Sequence, residues 1–268
     1  MLWLLLSLIG IFVGAFGTLI GAAGGFLLVP ILLFLYPQDT PATITSITLT
    51  VAFFNALSGS IAYRRLKRID YRSGLLFSLA SVPGAIIGAN ITTLLSRGIF
   101  QIIFGAALLL AAIYLMIRPM RKGDVSVITK HPVRKITDKH GNSYTYSYSR
   151  IRGIAIALGI GLLSGLLGIG GGIIHVPALT QLLNFPVHIA TATSHFVVGL
   201  TTFSAVITHI FTGAYAHGIR RAVVLSAGAI IGAQFGARLS RKVSGVLIVR
   251  LLAIGLAIVA IRLLIVSL

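Results

Sequence analysis

The residues best placed to do chemistry are glycines. Gly21-Ala-Ala-Gly24-Gly25 with Pro30, and Gly168-Ile-Gly170-Gly171-Gly172 with Pro177, interrupt two long apolar blocks. Glycine lets the backbone leave helical geometry, and inside a bilayer such a break survives only when buried in protein or lining a cavity. The helix restarting after each break presents unpaired N–H groups and a positive dipole end, which suits an anion. Close packing of small residues is the structural alternative, but two breaks at equivalent positions favour a substrate site. The groups expected to meet anionic oxygens are the N–H groups around Gly24, Gly25 and Phe26, and around Gly171, Gly172 and Ile173.

Hydroxyls follow each break. Thr43, Thr45 and Ser46, and then Thr191, Thr193 and Ser194, open the next apolar segment. They read either as helix caps or as neutral donors completing the anion shell. Asn55, Asn90 and Gln234 are the other intramembrane polar side chains. His175, His195 and His209 fall in apolar segments of the second half, while Leu28 and Ile47 stand opposite the first two. Ionisable groups inside a membrane are functional suspects and histidine titrates near neutrality, so His195 is a candidate for anion binding and His175 or His195 for a coupling proton. A neutral structural role has at least equal standing for each. No carboxylate or thiol assists the three histidines, so no metal site is expected, and nothing points to a cofactor.

Asp39, Asp70, Asp124 and Asp138 all lie in loops or at their edges. Cation transport and carboxylate proton relays usually need an acid inside a span, and an intramembrane hydrolase would want a base or metal cluster. The site reads as neutral to positive, and the protein as a non-enzyme. The absence of cysteine excludes thiolate chemistry.

The elements that must position these residues are membrane helices. The chain is 57% hydrophobic, 10% charged, with a mean hydropathy of +1.02, and its apolar blocks approach bilayer length. The net charge of +18 comes from short basic runs between those blocks, the pattern of positive-inside loops and not of a nucleic-acid surface. The chain begins apolar directly after Met1 and reads as a mature membrane segment, not a cleaved signal.

The glycine motifs belong to a duplication. Gly14, Leu19, Gly21, Gly24, Gly25, Val29, Pro30 and Leu32 recur 147 positions later, and Ala42-Thr-x-Thr-Ser recurs at 148 as Ala190-Thr-x-Thr-Ser. Gly84-Ala-x-x-Gly-Ala recurs at Gly232. The expected architecture is an all-α polytopic membrane protein of two repeats, 1–117 and 151–268, with about five hydrophobic segments each and eight to ten transmembrane helices in all. As one helix, 2–36 would run about 52 Å against a hydrocarbon core of about 30 Å, so the first two segments of each repeat are expected to form a broken, re-entrant pair. Each repeat then makes an odd number of crossings, and the repeats are inverted. Charge agrees narrowly: this count leaves Arg97, Arg220 and Arg221 outside, whereas single-crossing pairs leave four loop basics outside. The basic 118–150 stretch is expected to be a cytoplasmic linker. Alternation in Val133–Ile136 and Ser143–Tyr148 reads equally as a β-hairpin or as part of a flexible linker.

Paired Gly-x-x-Gly-x-Gly-Gly-x4-Pro-like turns, each followed by Ala-Thr-x-Thr-Ser, resemble the sulfite exporter TauE/SafE family over 8–116 and 153–266. The first copy departs from the second in having Ala23 where the second has Gly170, and in lacking counterparts of His175 and His195. The resemblance implies a plasma-membrane secondary transporter for sulfite, sulfonates or related organic anions. The sequence reading is therefore an alternating-access anion transporter whose partners are a small anion and the lipid bilayer. The alternatives are a passive anion channel and a scaffold that docks a soluble protein through the basic linker.

Overall fold

The computed structural model describes residues 2–117, 132–215 and 218–240, and of the last apolar segment 247, 250, 253–258 and 260–261. The expected 244–266 helix and the 118–131 part of the linker thus lie largely outside the described residues. The helices are α1 (Leu2–Ile20), α2 (Gly25–Leu35), α3 (Pro41–Arg65), α4 (Tyr71–Thr92) and α5 (Arg97–Ile117), then α6 (Arg150–Leu167), α7 (Gly172–Pro177), α8 (Val187–Phe211) and α9 (Ile219–Leu239). A π-helical turn, Ala178–Leu182, extends α7. Strands β1 (Val133–Thr137) and β2 (Ser143–Ser147) pair antiparallel, Val133 opposite Ser147 and Thr137 opposite Ser143.

Seven of the described helices are long and apolar enough to cross a membrane, while Gly25–Leu35 and Gly172–Leu182 are too short. Large apolar side chains stand exposed along the outside, among them Phe12, Leu79, Leu110, Phe203 and Phe235. In water such a surface would drive aggregation; in a bilayer it faces acyl chains. The chain is an all-α polytopic membrane protein.

Helix starts follow local chemistry. Thr40 caps α3, its hydroxyl accepting from Thr43 N–H at 3.2 Å with Pro41 in the first turn. Asp70 caps α4 through Ser73 N–H at 3.2 Å, and Ser149 caps α6. α2 and α7 instead start from Gly24 and Gly171, both left-handed at φ 79° and 73°, a conformation that costs an L-residue about 1–2 kcal/mol.

Two intimate helix pairs frame the molecule. α1 runs alongside and parallel to α9, with Gly10 against Leu225, Gly14 against Ala229 and Ala15 against Gly232. α4 runs alongside and parallel to α6, with Ser81 against Gly161 and Ala85 against Gly165. Gly14 and Gly161 are duplicates of each other, so the same small-residue seam occurs in both pairs, each joining one half to the other. α3 and α8 meet between them.

Each broken pair folds back on itself. Gly24 lies against Val13, and Gly171 against Ile160, eleven residues earlier in both cases. The far end of α2 lies beside the start of α9: Arg221 Nη1 meets Asp39 Oδ2 at 2.6 Å, and its guanidinium sits 4.0 Å above the Tyr36 ring. Because α1 and α9 are parallel, α2 ends on the face where α1 begins. Likewise Phe185, just past α7, stacks on Tyr146 and Tyr148 (4.4 and 5.1 Å between centroids) beside the start of α6.

Candidate substrate site

The two Gly-rich turns abut each other at the centre of the molecule. A Cβ on Gly25 would lie 2.8 Å from Ile169 Cα, and a Cβ on Gly172 would lie 2.6 Å from Ala22 Cα. Ala22 and Ile169 are duplicates, as are Gly25 and Gly172, so the two contacts exchange when the halves exchange. Gly25 and Gly172 are thus required for backbone contact, whatever else they do. Ala23, which replaces the glycine found at 170, still takes a left-handed φ of 52° against 71° for Gly170. The departure in sequence leaves the turn's shape unchanged. Among the described residues no acceptor pairs with the first-turn N–H groups of Gly25, Phe26, Gly172 or Ile173.

The hydroxyls of each half pack on the turn of the other half. A Cβ on Gly168 would meet Thr48 and Thr45 of α3, and one on Gly21 would meet Thr191 of α8. Most of these hydroxyls are committed to backbone. Thr45 donates to Pro41 O at 2.9 Å and lies 3.4 Å from His209 Nε2; Ser46 donates to Thr43 O at 2.8 Å. Thr193 accepts from Asp70 N–H at 3.0 Å, tying α8 to the α3–α4 loop. Ser194 donates to Gly21 O at 3.1 Å, crossing between the halves to hold the first turn. Thr43 is half-buried and accepts nothing from the turns, its hydroxyl lying 3.0 Å from that of Thr40. Thr191 Oγ1 is buried and has no partner among the described residues.

The histidines separate. His175 is 3% exposed, neither ring nitrogen has a partner among the described residues, and its ring packs edge-on against Phe77 at 6.0 Å. His195 is fully buried in α8 with Nε2 3.2 Å from Thr18 Oγ1, and Thr18 donates to Asn55 Oδ1 at 2.5 Å. Tyr63 closes this cluster, its ring edge-on to His195 at 5.6 Å and its hydroxyl donating to Thr18 O at 2.8 Å. Sequence reasoning missed Thr18 and Tyr63. The available signal was that Thr18 is the only hydroxyl in the apolar run Leu8–Ile20, three residues before the break. Asn90 bonds its own helix at Ile86 O, and Gln234 bonds Ser58.

The described acids lie away from the turns, each on an arginine: Asp39 on Arg221, Asp70 on Arg134 and Asp138 on Arg68. Burial alone would raise the Asp70 carboxyl, but donors on Ser73, Tyr146 and Arg134 outweigh it and hold it below the usual value. Asp138 likewise resists its burial: bonds from Asn142, His140 N–H and Arg68 pull it down to about 2. Burial and the neighbouring Asp70 charge push the Tyr146 hydroxyl up. Among the described residues no three His, Cys, Asp or Glu come close enough to hold a metal.

An apolar exterior and seven helices long enough to cross a bilayer, around two Gly-rich breaks that meet at the centre, define a polytopic membrane protein. The profile of the family described as Sulfite exporter TauE/SafE matches residues 6–263, and the chain belongs to that family. It is similar to the probable membrane transporter protein YunE of Bacillus subtilis, 36% identical with 98% of this chain and 97% of that one aligned. A probable membrane transporter protein of Methanocaldococcus jannaschii is 27% identical over 90% of this chain and 87% of its own. The probable membrane transporter protein YdhB of Bacillus subtilis is 30% identical over 87% and 88%. No solved structure matches. The protein is a multi-pass transporter of the plasma membrane.

Proposed function

We propose that this protein is a secondary transporter of small oxyanions, sulfite or a short sulfonate, working by alternating access. In this reading the repeats 1–117 and 151–268 are inverted, and the 118–150 segment joins them in the cytoplasm. The observation that carries the reading is the meeting of two duplicated Gly-rich turns, whose first-turn N–H groups have no protein acceptor among the described residues. N–H groups without a partner and without a nearby carboxylate favour an anion. The return of α2 to the face where α1 starts supports inversion, because each half then crosses an odd number of times. The anion is held by the N–H groups around Gly24–Phe26 and Gly171–Ile173, with two buried, unpartnered hydroxyls to hand, Thr191 beside Gly21 and Ser164 beside Gly171. Thr45, Ser46, Thr193 and Ser194 reach it only by giving up a backbone partner.

The reading rejects the enzyme because the described acids are spent on arginines. It disfavours the docking scaffold because the hairpin's Tyr146 and Tyr148 are buried against the protein's own Phe185. The test is flux of labelled sulfite and a short sulfonate in proteoliposomes with imposed pH and voltage gradients. Saturable, gradient-driven flux is expected; flux that neither saturates nor couples makes the protein a channel, and no flux of either anion removes the anion reading. Normal transport by both Gly24→Leu and Gly171→Leu would move the site away from the turns.

A further inference from the structure

Among the places where the pseudo-symmetry fails is one where an ionisable side chain reaches the end of α1 beside the first turn. Ser194 and His195 are consecutive in α8, and both grip the end of α1. Ser194 donates to Gly21 O, and His195 Nε2 lies 3.2 Å from Thr18 Oγ1. In the duplicate, Ile47 stands at the position of His195, Gly165 at that of Thr18 and Phe203 at that of Asn55. Ser46 turns inward to Thr43 O. Among the described residues α3 therefore gives no side-chain donor to a carbonyl of the second turn, where Thr45 and Thr48 pack on Gly168 but bond their own helix.

Hydrogen-bond direction follows from proton counting. The single Thr18 hydroxyl proton goes to Asn55 Oδ1 at 2.5 Å. The hydroxyl oxygen must then accept, so His195 carries its proton on Nε2 and donates it. Nδ1 is left as the basic nitrogen, buried and without a partner among the described residues, and Asn55 Nδ2 is likewise unpaired. Burying such groups unmet is unfavourable, which calls for a reason. Facing the ring are Thr18 from α1, Asn55, Gly59 and Tyr63 from α3, and the Thr191 backbone one turn earlier in α8. Tyr63 is the one titratable group against it among the described residues, and its hydroxyl proton is committed to Thr18 O.

We infer that His195 carries the coupling proton of transport on Nδ1, with Thr18 and Asn55 as the positioning residues that transmit its charge to the first Gly-rich turn. The inference rests on the anion-transport reading above. A proton from the aqueous phase adds to the Nδ1 lone pair, no bond breaks, and the ring becomes an imidazolium whose charge offsets that of the anion. The Nε2–H to Thr18 contact then becomes a charge-assisted bond, roughly twice as strong as a neutral one, and draws α8 against the end of α1. At the second turn the corresponding histidine contact is longer, His209 Nε2 lying 3.4 Å from a Thr45 hydroxyl already bonded to Pro41 O, so protonation of His195 acts on the first half-site.

The experiment compares the wild type with His195→Gln and Thr18→Val in proteoliposomes. It measures gradient-free exchange of labelled sulfite and accumulation under a one-unit pH gradient. One coupled proton drives about tenfold accumulation per pH unit, since a unit is worth about 1.36 kcal/mol. His195→Gln keeps a donor toward Thr18 but has no titratable nitrogen, so its accumulation under the gradient falls about tenfold below that of the wild type. Sulfite's own protonation is common to both proteins and cancels. Thr18→Val removes the acceptor that stabilises the charged ring, so the midpoint of the pH profile moves toward acid by about one unit. Wild-type accumulation by His195→Gln, or an unmoved midpoint in Thr18→Val, overturns the inference. If the wild type exchanges no sulfite, the transport reading fails, and nitrogen-15 resonances of the histidines in nanodiscs decide the inference separately. A His195 ring that titrates between about pH 5 and 8, with a midpoint displaced by Thr18→Val, sustains it; a ring neutral throughout refutes it.

Discussion

Replacing Asp70 by Asn should release the β-hairpin from the membrane body. Asp70 is 5% exposed and accepts from Arg134 Nη2 at 2.7 Å and Nε at 3.2 Å, from Tyr146 OH at 2.7 Å and from Ser73 Oγ at 2.5 Å. An asparagine keeps one oxygen, turns an N–H2 toward these donors and strips Arg134 of its counter-charge. Breaking a buried pair from one side costs about 3–5 kcal/mol. The Arg134 side chain is 20% exposed and recovers some hydration, so about 2–3 kcal/mol is the working figure. A two-stranded hairpin has little stability of its own, so the loss falls on docking and reduces the docked population about 30- to 150-fold. Hydrogen exchange in nanodiscs reads this directly: the amides of Val133–Thr137 and Ser143–Ser147 should exchange faster by that factor, while those of α4 and α6 stay protected. The pH dependence has a definite sign. Asp70 is lowered from 3.8 when folded, so its contribution is complete above about pH 4 and is lost as pH falls through the folded value. Asp138, at about 2, holds its end of the hairpin further into acid. Exchange in Asp70→Asn within about twofold of the wild type would refute the assignment of docking to this carboxylate.

Two further perturbations test the centre. Gly25→Ala and Gly172→Ala should each destabilise by about 1–3 kcal/mol or more, because the new methyl meets the backbone of the opposite turn; the check is the thermal midpoint in detergent, and no change would mean that the turns do not touch. Ser194→Ala should cost about 1–3 kcal/mol because it strips a side-chain donor from the carbonyl of Gly21, whereas Ser46→Ala, whose hydroxyl bonds within its own helix, should lie within about 0.5 kcal/mol of the wild type. Equal losses in the two serine variants would contradict the asymmetry.

What was legible in the sequence was geometry on the scale of elements. The excess length of 2–36 and the glycine punctuation marked the breaks, since the number of residues needed to span a bilayer is fixed and glycine marks where a helix can stop. The strands occupy residues where the apolar alternation ran. Bonding between elements was not legible. Thr193 reads as one of a hydroxyl trio, yet its partner is the Asp70 amide, 123 residues away. Ser194 and Ser46 look equivalent within the motif, but one holds a turn across the halves and the other bonds its own helix. Periodicity encodes which face of a helix is buried and says nothing of which polar atom stands opposite. Thr18 escaped for the same reason: its duplicate is a glycine, so repeat matching discards it.

That asymmetry bears on how the machine would move. In an inverted-repeat carrier the second state arises when each half adopts the conformation of the other. Small-residue seams permit this at little cost, because Gly14 against Ala229 and Gly161 against Ser81 present similar backbones to sliding helices. Polar bonds do not exchange so freely. Passing to the mirrored state would ask Ser194 to release Gly21 O and His195 to release Thr18, while Ser46, the duplicate of Ser194, bonds its own helix. Under the proposed alternating access the two states would then differ in energy even without substrate, and a ligand can only shift such a balance by its differential affinity for the two. A protonated His195 would hold the present arrangement more tightly and a neutral one would hold it less, so the proton proposed for His195 would bias the balance through the Thr18 contact.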